Sequence, residues 1–141
     1  MDYQLDGTGN RLGVTEATGQ KTTWTFDNTY QLVNENRSGT GSFNSTFTYD
    51  AVGHRLVKNA SGALTTSTYD AANQLVTSKD VSGTTTYTFD ATGNQQIEQA
   101  PSGTTTNTWN YENQMTLVQL AAGTRVTMAY NANFRRTDNW S

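Results

Sequence analysis

The stretch YTFDATGNQQ, residues 87–96, contains a pattern that returns along the chain and decides the fold. Two aromatic residues, one residue apart, precede an aspartate, and a glycine and an asparagine follow three and four residues later. The same pattern, with histidine in place of the asparagine, occurs in FTYDAVGHRL at 47–56, and a variant occurs in YQLDGTGNRL at 3–12. A pattern that recurs in one chain indicates a repeated structural element rather than a single active site.

Seven copies are found when the sequence is aligned on the acidic or amide residue after the aromatic position, which we call the anchor. Consecutive anchors are separated by 20 to 23 residues, and together the units account for nearly all 141 residues. We therefore predict one repeat region over residues 1–141, either a fragment of a larger protein or a building block of a larger assembly. The anchors are Asp6, Asp27, Asp50, Asp70, Asp90, Asn110 and Asn131.

Residues before each anchor alternate with the period of a β-strand. Tyr87 and Phe89 occupy one side of such a strand, and Thr86 and Thr88 occupy the other. A second alternating segment follows each anchor, and a glycine-containing turn then closes the unit. The sequence predicts an all-β fold, an antiparallel strip of stacked β-hairpins with a buried aromatic face and an exposed threonine face.

The anchors are interpreted as turn residues. An Asp or Asn side chain accepts hydrogen bonds from backbone N–H groups two or three residues on, and a glycine three residues later tolerates a left-handed backbone. Asn110 and Asn131 keep the acceptor oxygen without the charge, which suits a turn cap and not a catalytic carboxylate. We therefore expect the seven anchors to be structural, together with the glycines Gly9, Gly53 and Gly93. Phe134 replaces glycine in the seventh unit, so either the pattern decays there or the last turn differs.

Composition excludes several functional classes. The net charge is −3 and there is no cysteine, so disulfides and thiolate metal sites are excluded and nucleic acid is not expected as a partner. No apolar run approaches the roughly 18 residues of a membrane span. The first residues lack the features of a signal peptide, so export would have to be directed from elsewhere.

Candidates for chemistry are few. His54 is the single histidine and stands where other units have asparagine, so we interpret it as a turn variant. The glutamates occupy unrelated positions in their units, which does not favour a glycosidase pair; they are Glu16, Glu35, Glu98 and Glu112. Strand-interior positions favour packing over sugar stacking for Trp24 and Trp109, whereas Trp140 lies outside the repeat. We predict no catalytic residue, no cofactor and no metal.

The segments YTFDATGNQ, FTYDAVGHRL and STYDAANQLV, spaced by about 20 residues, resemble the tyrosine-aspartate (YD) repeats of the Rhs family. Such repeats also occur in insecticidal toxin complex C proteins and in teneurins. The resemblance covers residues 3–136 and implies β-hairpin strips that spiral into a hollow shell. In bacterial members the shell encloses a toxic C-terminal polypeptide, but no toxin domain and no self-cleaving core segment is recognisable in this chain.

The predicted function is that of a non-enzymatic structural module of a β-shell. The resemblance implies a secreted or cell-surface location and an encapsulated polypeptide as a partner. The first and last strands are expected to pair with flanking repeats of a longer chain, or head to tail with another copy in a homo-oligomer or filament. The alternative is an extracellular adhesin module that binds a carbohydrate or a cell surface.

Overall fold

The computed structural model describes residues 1–137 of the chain. In these residues the chain forms thirteen β-strands and no helix, and hence no helix that could cross a membrane. The strands are β1 (Asp2–Leu5), β2 (Arg11–Thr15), β3 (Lys21–Phe26), β4 (Leu32–Ser38), β5 (Phe43–Tyr49), β6 (Arg55–Ala60), β7 (Ala63–Tyr69), β8 (Leu75–Asp80), β9 (Gly83–Phe89), β10 (Gln95–Ala100), β11 (Gly103–Trp109), β12 (Met115–Gln119) and β13 (Arg125–Thr127). The predicted all-β class is confirmed.

Hydrogen-bonded strand order follows chain order from β1 to β13, as in a meander of hairpins. The chain divides into two compact units, Met1–Ser67 and Thr68–Ser141, with the division inside β7. In the first unit β1 to β7 pair antiparallel in sequence, and in the second β8 to β13 do the same. The predicted stacking of antiparallel hairpins is confirmed within each unit.

The alternation of side chains determines what each face carries. In the second unit Tyr87 lies opposite Glu98, and Glu98 lies opposite Thr105 on the next strand, so these three share a face. Thr86 lies opposite Thr77 and Gln99 and belongs to the other face. One face therefore carries the aromatic rings with interspersed charges, and the other carries mainly threonine and amide side chains.

The aromatic face is less buried than the sequence predicted. Among the described residues no hydrophobic side chain is fully buried, and Tyr87 and Phe89 are half-buried. The most buried polar side chains are those of Thr22 and Ser45. Within each unit the strands form one layer, so a ring is covered only by its neighbours in the same sheet. The expectation of a buried aromatic face is wrong for this reason.

Candidate functional site

A five-residue turn follows every second strand, at the same edge of each unit. At each of the seven anchors the backbone N–H of the anchor donates to the carbonyl four residues on, at 2.9 to 3.0 Å. The N–H three residues on donates back to the anchor carbonyl, at 2.9 to 3.2 Å. These bonds close each turn around its anchor.

The anchor side chain lies inside its own turn. In all seven turns its Oδ1 atom accepts from the backbone N–H groups two and four residues on, at 2.8 to 3.0 Å. In the turn of Asp90, for example, the donors are Thr92 and Asn94. The bonds to Asn110 and Asn131 have the same arrangement as those to the aspartates, because one carbonyl-type oxygen is sufficient.

The position three residues after each anchor has a left-handed backbone. Gly9, Gly53 and Gly93 have φ values of 92°, 99° and 88°. The other turns place larger residues there with φ values of 59° to 64°: Tyr30, Asn73, Asn113 and Phe134. Phe134 donates its N–H to the Asn131 carbonyl at 2.9 Å, so the seventh turn has the form of the others. The expectation of decay or a different turn at Phe134 is wrong.

The alternation between glycine and larger residues has a packing reason. A Cβ atom on Gly53 would lie 3.2 Å from the Gln31 amide nitrogen, and one on Gly93 would lie 3.2 Å from that of Gln74. Gln31 and Gln74 each belong to the preceding turn of the same edge. Gly53 and Gly93 thus leave space for the glutamine of the turn before them.

In the glycine-containing turns the side chain four residues after the anchor also contacts the anchor carboxylate. Asn10 and Asn94 donate from their side-chain amides to the Oδ2 atoms of Asp6 and Asp90, at 2.8 and 3.0 Å. His54 takes the same place, with its Nδ1 atom 2.8 Å from Asp50 Oδ2. The histidine is therefore a turn residue, as its alignment with asparagine indicated.

Hydrogen bonds within the turns lower the pKa of several anchor carboxyls. Bonds from Asn10 and Thr8 lower the pKa of Asp6 well below its usual range, and bonds from Thr92 and Asn94 lower that of Asp90 to about 2. At Asp50 burial acts to raise the pKa, but the bonds from His54 and Val52 outweigh it and the net shift is downward.

A tyrosine or tryptophan directly before an anchor can have a second role that the sequence did not reveal. Its polar tip donates to a backbone carbonyl of the preceding hairpin: Tyr49 Oη to Leu32 at 2.8 Å, Trp109 Nε1 to Gln95 at 2.9 Å and Tyr130 Oη to Met115 at 2.9 Å. The accepting carbonyls of Leu32 and Gln95 belong to residues at the β-bulges beside the turns of Asp27 and Asp90. The only indication of these bonds in the sequence was the residue type, because tyrosine and tryptophan side chains have a hydrogen-bond donor that phenylalanine lacks.

Two further turns have the same backbone bonds without an Asx cap. Gly19 donates to the Glu16 carbonyl at 3.0 Å, and Gly123 donates to the Leu120 carbonyl at 2.9 Å. The sequence predicts a glycine-containing turn at the end of each unit, but it does not indicate this shared backbone form, because the anchor side chain is missing there.

Two of the four glutamates are engaged by other side chains. Glu16 makes an ion pair with Arg37 at 2.8 Å, and Glu35 accepts from Trp24 Nε1 at 3.1 Å. Burial and the charge of Glu98 raise the pKa of Tyr87. Among residues 1–137 no group of three or more potential metal ligands is found. Trp140 lies outside the described residues.

An open pocket of about 400 Å³ lies in the first unit, lined by residues of β2 and β3 and of the turns of Asp6 and Asp27. Three aromatic rings, two anchor carboxylates, a leucine and a threonine line it. These residues are Asp6, Leu12, Trp24, Thr25, Phe26, Asp27 and Tyr30.

Comparison with known proteins finds a matching repeat family in the middle of the chain. The family model described as RHS Repeat matches residues 49–85 and, in an overlapping register, residues 69–105. The two matches are offset by one 20-residue unit, in agreement with the anchor spacing. No curated protein matches the chain by sequence.

Solved structures with a similar fold come from Tc toxins. The Photorhabdus luminescens Tc holotoxin pore with a mutated TccC3 aligns with a TM-score of 0.75 and 18% identity, over 96% of this chain and 8% of that one. TcdB2-TccC3 without its hypervariable C-terminal region aligns with a TM-score of 0.75 and 18% identity, over 92% of this chain and 8% of that one. TcdB2-TccC3-TEV aligns with a TM-score of 0.73 and 17% identity, over 92% of this chain and 8% of that one. The chain spans less than a tenth of these chains, and at such identity the likeness shows the fold.

Proposed function

Because the chain carries RHS repeats and is similar to YD-repeat proteins of the Rhs family, we propose that it is a non-enzymatic structural module, part of the wall of a larger β-shell. The observation that carries the proposal is a meander of paired strands in which no described hydrophobic side chain is fully buried. Such a layer has two usable faces, as a wall requires, whereas a globular enzyme buries one face in a core.

The polar groups of the chain support a structural role. The anchor oxygens are engaged by turn N–H groups, and His54 is engaged by Asp50. A carboxylate that already accepts several hydrogen bonds and has a lowered pKa is a weak general base. A screen for hydrolase activity should be negative, and activity that disappears in Glu98→Gln would contradict this part of the proposal.

The end strands provide a means of assembly. In the sheet order β1 has a single hydrogen-bonded neighbour, β2, so its other side presents backbone donors and acceptors. We propose that residues 1–141 are one repeat region whose first strand pairs with a further repeat. That repeat is either the adjoining repeat of a longer chain or the last strand of another copy, head to tail.

Sedimentation over a wide concentration range tests the assembly. Association should increase with concentration, and Leu5→Lys should weaken it because a charge on an edge strand opposes pairing. Val52→Lys is the matched control, since Val52 is exposed in a turn of the same unit. A strict monomer at all concentrations would contradict head-to-tail pairing. Electron microscopy of the associated state should show curved strips, rings or filaments, and compact particles alone would contradict the wall.

The likeness to Rhs-type repeats further suggests a secreted assembly that encloses a polypeptide. If the wall encloses cargo, a test polypeptide fused after residue 141 should be protected from protease in the associated state and digested in the Leu5→Lys variant. Equal digestion in both states would oppose an enclosing role.

Surface recognition is the second candidate because several aromatic rings are exposed. Tyr111 is 93% exposed and Tyr30 is 63% exposed, and exposed rings stack on sugars or insert into a partner. A glycan array should then show specific binding that Trp24→Ala or Tyr111→Ala removes. Binding unchanged in both variants would oppose an adhesin that uses these rings.

A further inference from the structure

We propose that the pocket of the first unit binds a methylated ammonium cation, the group found in choline and in trimethyl-lysine. The pocket combines aromatic rings with carboxylates in one open cavity of about 400 Å³. That volume is in the usual range for small-molecule sites. Aromatic rings attract a cation through their quadrupole, and they also cover the apolar methyl groups of a quaternary ammonium.

Two of the rings are held by the strand that carries them. Trp24 and Phe26 are two residues apart on β3 and therefore share one face. The Trp24 indole donates to Glu35 Oε1 at 3.1 Å, which fixes the orientation of the ring. The platform is thus formed before a ligand arrives, and less side-chain entropy is lost on binding.

The third ring is held at an energetic cost. Tyr30 has a φ of 63°, at the position that Gly9, Gly53 and Gly93 occupy in other turns. A bulky side chain in this backbone conformation is strained, and strain of this kind is concentrated at functional sites. The ring remains 63% exposed and lines the pocket, so it is available to a ligand.

The charge of the pocket selects a cation. Asp6 and Asp27 line it, and hydrogen bonds within their turns lower the pKa of both carboxyls. Asp27 Oδ1 takes three turn bonds, whereas Asp27 Oδ2 receives none from the described residues. No lysine or arginine is among the lining residues, so the negative charge of the pocket is not balanced within its lining. A neutral sugar would not use this charge, and a bare metal ion requires more oxygen ligands than are present.

Titration with choline, followed through the indole N–H signal of Trp24 in nuclear magnetic resonance spectra, tests the proposal. The uncharged isostere 3,3-dimethylbutanol serves as the comparison. Choline should bind about tenfold more tightly than the isostere, since only the cation gains the ring and carboxylate attraction. Equal binding of the two compounds, no saturable shift with choline, or preferential binding of a neutral sugar would overturn it.

Two substitutions in the pocket and one control substitution separate binding from folding. Asp27→Asn retains the Oδ1 acceptor, as Asn110 and Asn131 do, so the turn should still form; the change should weaken choline binding roughly five- to tenfold and lower the melting temperature only as far as the carboxylate itself stabilises the turn. Tyr30→Gly should raise the melting temperature and weaken choline binding. Phe134→Gly, the same change at another strained turn, should raise the melting temperature and leave choline binding unchanged. Loss of binding in Phe134→Gly, or retained binding in both pocket variants, would contradict the proposal.

The source of the cation is distinguished by two further probes. Phosphatidylcholine vesicles present the group on a membrane surface, and a trimethyl-lysine peptide presents it on a polypeptide, with the unmethylated peptide as the control. Co-sedimentation with vesicles that Asp27→Asn reduces would assign a lipid headgroup. Binding of the methylated peptide alone would assign a modified protein, and failure of both probes together with choline would reject the site.

Discussion

Each residue of the turn has a defined hydrogen-bonding task. The anchor accepts two N–H groups, the residue before it can donate to the preceding hairpin, and the residue three positions on has a left-handed backbone. Removing one of these groups should therefore have a local and measurable effect. The residues with a hydroxyl or indole before the anchor are the least obvious from sequence.

The Tyr49 hydroxyl should contribute measurably to stability. Tyr49→Phe removes its bond to the Leu32 carbonyl and leaves that carbonyl without this donor, so we expect a loss of about 0.5 to 1.5 kcal/mol in the free energy of unfolding. Chemical denaturation measures the loss. Tyr111→Phe is the control, because Tyr111 is 93% exposed, and equal effects of the two changes would contradict a specific role for the hydroxyl.

The carboxylate of Asp90 should make the stability of the fold depend on pH in the acid range. Its pKa is about 2 in the folded chain, against about 3.9 when unfolded, so its contribution is complete above pH 4 and is lost as the pH falls from 4 to 2. Asp90→Asn keeps the Oδ1 acceptor but does not titrate. The difference in melting temperature between the parent and Asp90→Asn should shrink over that interval. A difference that stays constant down to pH 2 would contradict this linkage.

Turn residues could be predicted from the sequence because their requirements are local. The anchor, its acceptor oxygen and the glycine lie within four residues of one another, and the seven copies repeat the same information. The bond from Tyr49 to Leu32 could not be predicted, because it spans 17 residues and depends on the register after a bulge. The half-burial of Phe89 also depends on the absence of a covering layer, which alternation along one strand does not specify.

Hairpins pack against one another at the opposite edge of the second unit through small residues. A Cβ atom on Gly83 would lie 2.8 Å from Pro101 Cγ, and one on Gly103 would lie 2.7 Å from Ala121 Cβ. Each glycine thus leaves space for the next loop on that edge. Stacking of the hairpins accordingly depends on short contacts between loops as well as on strand pairing.

Gly103→Ala should test this loop packing. We expect it to lower the free energy of unfolding by roughly 1 to 3 kcal/mol, because it adds an overlap with Ala121 as well as side-chain strain at a φ of 137°. Gly62→Ala is the control for strain alone, since Gly62 has a φ of 97° and nothing within 4 Å of its added Cβ. The double variant Gly103→Ala with Ala121→Gly should recover part of the loss. Equal losses for Gly62→Ala and Gly103→Ala would exclude the packing effect.

For the whole chain, stability comes from many local pairings and not from a central core. Among the described residues no hydrophobic side chain is fully buried, and the charged residues of the aromatic face are only partly covered. The free energy of a repeat array is approximately a sum over units and their neighbours. Addition of neighbouring repeats, as in the proposed wall, would therefore raise the stability of the first and last repeats most.

Unfolding by urea should reveal this organisation. The slope of stability with urea scales with the surface exposed on unfolding, and in small globular proteins it is typically about 1 to 3 kcal/mol per molar. We expect a slope at or below the lower end of that range, because little apolar surface is fully buried. Fluorescence of Trp24 in the first unit and of Trp109 in the second, each isolated by changing the other tryptophans to phenylalanine, should give transitions that do not coincide. A single steep transition at the same midpoint for both tryptophans would show that the chain unfolds as one cooperative globule. That result would contradict an array in which each repeat is stabilised by its neighbours.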